Sequence, residues 1–195
     1  MKILEKNDLL NIIEYEKIRD EYRKKLIEYK KHRRIALGPN ITITFENRKT
    51  IKFHIQEMMR TERMVKSQQI QSELDIYNPL LPQKNSLSAT LFIEIREAKN
   101  IRPMLNQFIG LTTGKNMLIK KGDLKIYAQF EDGREEEDRI SAVHYIQFHF
   151  NKSDKNSFFD EGAPVELIID YNEYNYNVKL PSKMIASICE DLTSS

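Results

Sequence analysis

Residues 33–62 read RRIALGPNITITFENRKTIKFHIQEMMRTE. Gly38-Pro39 turns the chain. Ile41, Thr42, Ile43, Thr44 and Phe45 then alternate apolar and hydroxyl side chains, the pattern of a half-buried strand. Glu46-Asn47-Arg48-Lys49 predicts a hairpin turn, because Asn tolerates a left-handed backbone. Thr50 to Phe53 predicts the returning strand. From residue 54 to about 74 the spacing becomes helical, with Ile55, Met58, Met59, Val65 and Ile70 on one face. Glu62 and Glu73 fall near the middle of that face, a costly position for an unpaired carboxylate.

Upstream, residues 11 to about 31 predict a long first helix. Asn11 and Glu14 have capping-box spacing. Tyr15, Ile18, Tyr22, Leu26 and Tyr29 recur at three- and four-residue steps and make one apolar stripe. The helix closes on a basic run, Lys30, Lys31, His32, Arg33 and Arg34. Cations are favoured at a helix C-terminus by its dipole.

Downstream, Tyr77-Asn78-Pro79 stops the second helix, and Leu87 to Ile95 reads as a strand. Residues 100 to 109 have short-helix spacing up to Gly110. Leu124–Phe130 and Ala142–Phe150 both alternate and predict a long antiparallel hairpin across an acidic connection. A helical turn is expected at residues 155 to 160. A second hairpin follows at 165–170 and 174–180, and Pro181-Ser182 opens a short C-terminal helix. Consecutive strands joined by short turns argue for an α+β fold. Its antiparallel sheet is built from hairpins and packed by the long N-terminal helix, the second helix at about 54–74 and the short C-terminal helix. The expectation is one domain over 1–195, with a helix-hairpin-helix part at about 8–78 and a strand-rich part at about 87–195.

Composition narrows the function classes. A chain of 195 residues with 40% apolar and 31% charged side chains can bury a core without metals or disulfides. A formal net charge of +2 makes no case for nucleic acid. The single cysteine, Cys189, excludes an internal disulfide and cysteine-paired metal sites. No stretch approaches the ~18 consecutive apolar residues of a membrane span; the run MKILEKNDLL lacks the apolar core expected of a signal peptide, and its acidic residues argue against a transit peptide. The expected location is a reducing cytoplasm.

Three groups of residues suggest chemistry. His54 and Glu57, three apart on a helix, could reach one ion. The two-histidine spacing of a zinc protease is missing, however, and Glu57 with Arg60 suits an ordinary i,i+3 pair. Arg33 and Arg34 suit bidentate contact with Glu46, Glu57 or Glu62, either locking helix to helix or meeting an outside anion. His144 and His149 lie five apart on one strand and face opposite ways, so they cannot chelate together. The run Gly110 to Asn116 lacks the spacing and the final hydroxyl of a phosphate loop. No order of residues suggests nucleophilic catalysis, and no catalytic residue or cofactor is assigned.

Arg33-Arg34, Gly38, Phe45-Glu46-Asn47, Thr50, Gln56-Glu57-Met58, Arg60 and Glu62-Arg63 resemble the pattern of domain-of-unknown-function family 3501. So do Glu73-Leu74, Tyr77-Asn78-Pro79, Ala89-Thr90-Leu91 and Glu94. The members are uncharacterised bacterial proteins, often encoded beside rubrerythrin-like and iron–sulfur oxidoreductase-like proteins. The resemblance implies, by association, a role near peroxide handling or electron transfer. The family pattern carries Gln more often than His at position 54, which weakens a metal reading there.

The leading expectation is therefore a cytoplasmic accessory or adaptor protein that binds a protein partner, with an oxidoreductase link implied by the resemblance. Its contact surface would comprise Arg33, Arg34, Glu46, Asn47, Gln56, Glu57, Arg60 and Glu62. The alternative is an enzyme or small-ligand binder, metal included, with a polar pocket around Glu57 and Arg60. A third reading is RNA or phosphate binding through Lys30 to Arg34. Oligomeric state stays open.

Overall fold

A hairpin forms where residues 33–62 suggest one, but one strand earlier. In the computed structural model, which describes residues 2–95, 97, 99, 101–160 and 162–193, Gly38 turns the chain with φ of 81°. It joins β1 (Arg34–Leu37) to β2 (Ile41–Glu46), with Ile35 opposite Ile43. Ahead of them lies α1 (Ile12–Lys30), whose first turn is capped by Asn11, the side chain accepting from Glu14 N. Tyr15 and Leu26 are buried, but Ile18 is 45% exposed, so the expected stripe turns only partly inward.

The turn and returning strand expected at 46–53 are instead the start of a helix. The Asn47 side chain accepts from the Lys49 and Thr50 amides at 3.0 and 3.3 Å. The Thr50 hydroxyl accepts from the Asn47 amide at 2.9 Å. That reciprocal cap starts α2 (Arg48–Thr61). A short polar run after a strand suits a turn or a cap equally, and Thr50 three residues after Asn47 favours the cap. The helix expected to run on to residue 74 is also broken. Arg63 is left-handed (φ 52°), and α3 (Ser67–Tyr77) starts afresh. Glu62 therefore sits at a helix end and is exposed, not on a core face. The wheel that placed it inward extrapolates past the end of the helix.

The remaining elements are β3 (Ser86–Ile93), α4 (Ile101–Asn106), β4 (Met117–Lys121), β5 (Leu124–Phe130), β6 (Glu135–Glu136), β7 (Arg139–Ile140), β8 (Val143–His149), α5 (Lys152–Phe159), β9 (Val165–Tyr171), β10 (Tyr174–Lys179) and α6 (Ser182–Thr193). Residue 100, where the sequence predicts the start of a short helix, lies outside the described residues. Eight strands form one sheet in the order β1-β2-β3-β8-β5-β4-β9-β10, each antiparallel to its neighbour. Both later hairpins are present: Ala128 faces Phe148 across β5 and β8, and Tyr176 faces Ile169 across β10 and β9. The fold is α+β. Because β2 pairs directly with β3, the sheet runs through the boundary expected between residues 78 and 87.

The inner face of the sheet carries the main core. Ile43, Phe45, Ala89, Leu91, Ile119, Leu167 and Phe148 are each fully buried, with Ile188 and Leu192 of α6 packed against the same cluster. Burying one such large side chain contributes roughly 1.5–3 kcal/mol. The sheet coils until its edges meet. The Tyr174 hydroxyl on β10 donates to Leu37 O at 2.8 Å and accepts from the Asn40 and Ile41 amides at 3.0 Å. Gly38 permits this approach, since a Cβ there would lie 2.6 Å from the Tyr174 hydroxyl. A second cluster, Ile51, Ile55, Met59, Leu74, Leu80 and Leu81, lies under α2 and α3 outside the sheet.

Candidate functional site

Strand alternation sends every second residue of β2, β3 and β8 away from the main core. Cross-strand register aligns these outward positions into rows: Thr44 with Thr90 and Tyr145, Thr42 with Phe92 and Val143, and Glu46 with Ser88 and Gln147. The second cluster of apolar residues covers only part of this polar floor. Beside it a cavity of about 380 Å³ remains. Glu46, Thr90, Phe92, Val143 and Tyr145 form its floor, and Thr50, Ile51 and His54, one face of α2, form its roof. Lys30 from the last turn of α1 also lines it, as do Arg134 and Ser141.

The side chains here are held in place. Glu46 is 6% exposed and accepts from Thr90 Oγ1 at 3.0 Å. His54 is exposed at the rim, and its Nε2 meets the Tyr77 hydroxyl at 2.9 Å. Shielding by its surroundings lowers the His54 pKa, and Lys30 adds to this while the Glu46 carboxylate opposes it. Burial pushes the Tyr77 and Tyr145 phenols up, so both stay neutral donors near pH 7. The Arg134 guanidinium stacks 4.4 Å from the centre of the Tyr145 ring. The arrangement offers a carboxylate, two cations, a neutral imidazole and aromatic walls in one space of ligand size.

Most of the residues expected to form a site are engaged elsewhere. Arg33, fully buried, pairs with Asp191 of α6 and not with Glu46, Glu57 or Glu62. It also donates to Phe45 O at 2.8 Å and to Ser187 Oγ at 2.8 Å. Arg34, on the next residue of an extended chain, points the other way and pairs with Glu94 at the surface. Asn47 caps α2 and donates to Asp191 at 3.0 Å and to Tyr29 at 2.8 Å. Gln56 clamps the Leu10 backbone, accepting at 2.6 Å and donating at 3.1 Å.

Glu57 is gripped bidentately by Arg19 at 2.8 Å and by the Tyr15 hydroxyl at 2.8 Å. The Arg19 hydrogen bond holds its carboxyl below the usual range. Arg60 reaches across to Glu16 at 2.6 Å, so the expected Glu57–Arg60 pair is replaced by two pairs onto α1. These contacts fasten α1 to α2. The basic run from Lys30 to Arg34 is likewise divided: Arg33 is inside, Arg34 is paired, and Lys31 meets Glu28.

His54 turns to Tyr77 while Glu57 turns to α1, so the two do not converge on an ion. Among the described residues no group of three His, Cys, Asp or Glu side chains is placed to hold a metal. No helix among them is long and apolar enough to cross a membrane. Of the cavity residues, Glu46, His54 and Lys30 stood out in the sequence by type. Arg134 and Tyr145 did not: one hides in an acidic connection and the other in an ordinary alternating strand.

The chain is similar to a solved structure and to a protein family over nearly its whole length. A solved structure described as a novel protein of unknown function from Burkholderia pseudomallei K96243 superposes with a TM-score of 0.89 at 29% identity. The match covers 98% of this chain and 100% of that one. No curated protein matches. The family described as "Protein of unknown function (DUF3501)" matches residues 3–192. By that match, the chain belongs to the DUF3501 family.

Proposed function

We propose that this protein binds a small molecule in the cavity between α2 and the outer face of β2, β3 and β8. One observation carries the reading: Glu46, a carboxylate almost shut off from water, borders an open space of about 380 Å³ and has no ion pair among the described residues. Buried charges are ordinarily matched, and an accessible space beside an unmatched one is where a ligand supplies the match. The small-ligand alternative expects a polar pocket around Glu57 and Arg60; this cavity uses the His54 face of α2 instead. The Gln56, Glu57 and Arg60 face is closed against α1.

The partner-binding reading draws less support, because Arg33, Gln56, Glu57 and Arg60 direct their hydrogen bonds within the chain. A reducing cytoplasm suits the lone thiol of Cys189.

The test is ligand screening by thermal shift with a cavity-filling control. A metabolite library should contain a compound that raises the melting temperature of the native protein and leaves Val143→Trp unmoved. A library without such a compound, or one whose hits stabilise the filled variant equally, would sink the proposal.

A further inference from the structure

The cavity presents charges of both signs: among the described residues Glu46 and Lys30 have no ion pair, and Arg134 is paired with Glu131 through its Nε alone. Among the described residues the Glu46 carboxylate takes one hydrogen bond, from Thr90. A carboxylate this buried is ordinarily bound by several donors or paired with a cation. Lys30 lines the same cavity, and its side-chain ammonium makes no ion pair or hydrogen bond to any described residue, Glu46 included. Arg134 gives its Nε to Glu131 and lays its plane on Tyr145, and neither Nη group bonds a described residue. A guanidinium edge free in this way suits the two oxygens of a carboxylate. Between the charged groups the walls are apolar or aromatic: Leu80, Phe92, Val143 and Tyr145.

A purely anionic ligand would satisfy Lys30 and Arg134 but place like charge beside Glu46. A purely cationic ligand would do the reverse. A molecule carrying both an ammonium and a carboxylate satisfies all three. We infer that the occupant is a free amino acid, with its ammonium on Glu46 and Thr90, its carboxylate between Arg134 and Lys30, and its side chain on Phe92, Val143 and Tyr145. This deepens the small-ligand reading above and rests on it.

The inference is tested by titration calorimetry of the native protein with the proteinogenic amino acids, each beside its decarboxylated amine and its des-amino acid. At least one amino acid should bind, and each of its one-charge analogues should bind weaker by about tenfold or more, since a site built for a polar group rejects the analogue that lacks it. Glu46→Gln should remove the preference over the des-amino acid, and Arg134→Met the preference over the amine. Lys30→Met, at a partly exposed position, provides a second variant that keeps the fold and should also weaken carboxylate recognition. If a one-charge analogue binds as tightly as the amino acid, the inference is overturned while the small-ligand reading stands. If no amino acid binds but another compound fills the cavity, the outcome is the same. If nothing of any kind binds there, both fall together.

Discussion

Arg33 bears a buried charge held from several directions. Its guanidinium is fully buried and meets Asp191, two serine oxygens of Ser187 and the Phe45 carbonyl. Burial pushes the Asp191 carboxyl up, and Arg33 and Asn47 act against that by stabilising the carboxylate. Removing Arg33 leaves the Asp191 carboxylate buried without its guanidinium. Arg33→Met should therefore cost about 3–5 kcal/mol in urea unfolding, and adding Asp191→Leu should return most of it. A cost near zero for the single change would show that the pair is not what holds α6.

His144 makes the second prediction at this scale. It is fully buried, its Nε2 bonds the Ser141 carbonyl at 2.7 Å, and its Nδ1 has no hydrogen-bond partner among the described residues. Burial lowers its pKa, the Ser141 bond opposing and Arg134 assisting. The unfolded chain therefore takes up this proton first as pH falls. The associated stability is complete above the unfolded value of about 6.5 and is lost as pH drops from there through the lowered one. Urea midpoints at about pH 7.5 and about pH 5 should differ, and His144→Gln should shrink that difference.

Among the elements, α2 is the hinge of the N-terminal half. Asn47 starts it, Gln56, Glu57 and Arg60 tie it to α1 and the segment before it, and Ile51, Ile55 and Met59 press it on the second apolar cluster. Asn47 serves two structures at once, capping α2 and donating to Asp191 on α6. Asn47→Ala should accordingly cost about 2 kcal/mol or more, beyond the ~1 kcal/mol typical of a cap alone. Thermal unfolding of Asn47→Ala beside Asn151→Ala, which caps the short α5, measures the difference. Equal losses would reduce Asn47 to a cap.

For the whole molecule, the decisive feature is the meeting of β1 with β10. The sheet's twist brings its edge strands together, and the Tyr174 hydroxyl satisfies three backbone groups that would otherwise face a gap. Tyr174→Phe keeps the ring against Phe108 but frees those groups, at a cost of about 1–3 kcal/mol. Amide exchange should quicken at residues 40 and 41 while β3 and β8 in the sheet centre stay protected. Uniform quickening across the sheet would mean that the seam is not a separate unit of stability. The outward rows of β2, β3 and β8 are a second consequence of this architecture. Helices α2 and α3 cover them incompletely, and the cavity is the part left over.

The sequence by itself determined the α+β class, both C-terminal hairpins, the Asn11 cap and the closing helix, because each rests on periodicity or spacing within a few residues. It also marked Glu46, His54, Arg33 and Lys30 as unusual by type. Residues 46–53 misled at the same range, since one short polar run serves a turn or a helix cap and only Thr50 separates the two. Pairing was beyond local reading. Arg33 meets a carboxylate 158 residues away. The entropy of closing such a loop grows only slowly with its length, so sequence distance carries almost no information about partners. The cavity belongs to the same class of fact: Lys30, Glu46, His54, Arg134 and Tyr145 come from five separate segments. Only sheet register and helix packing bring them to one space.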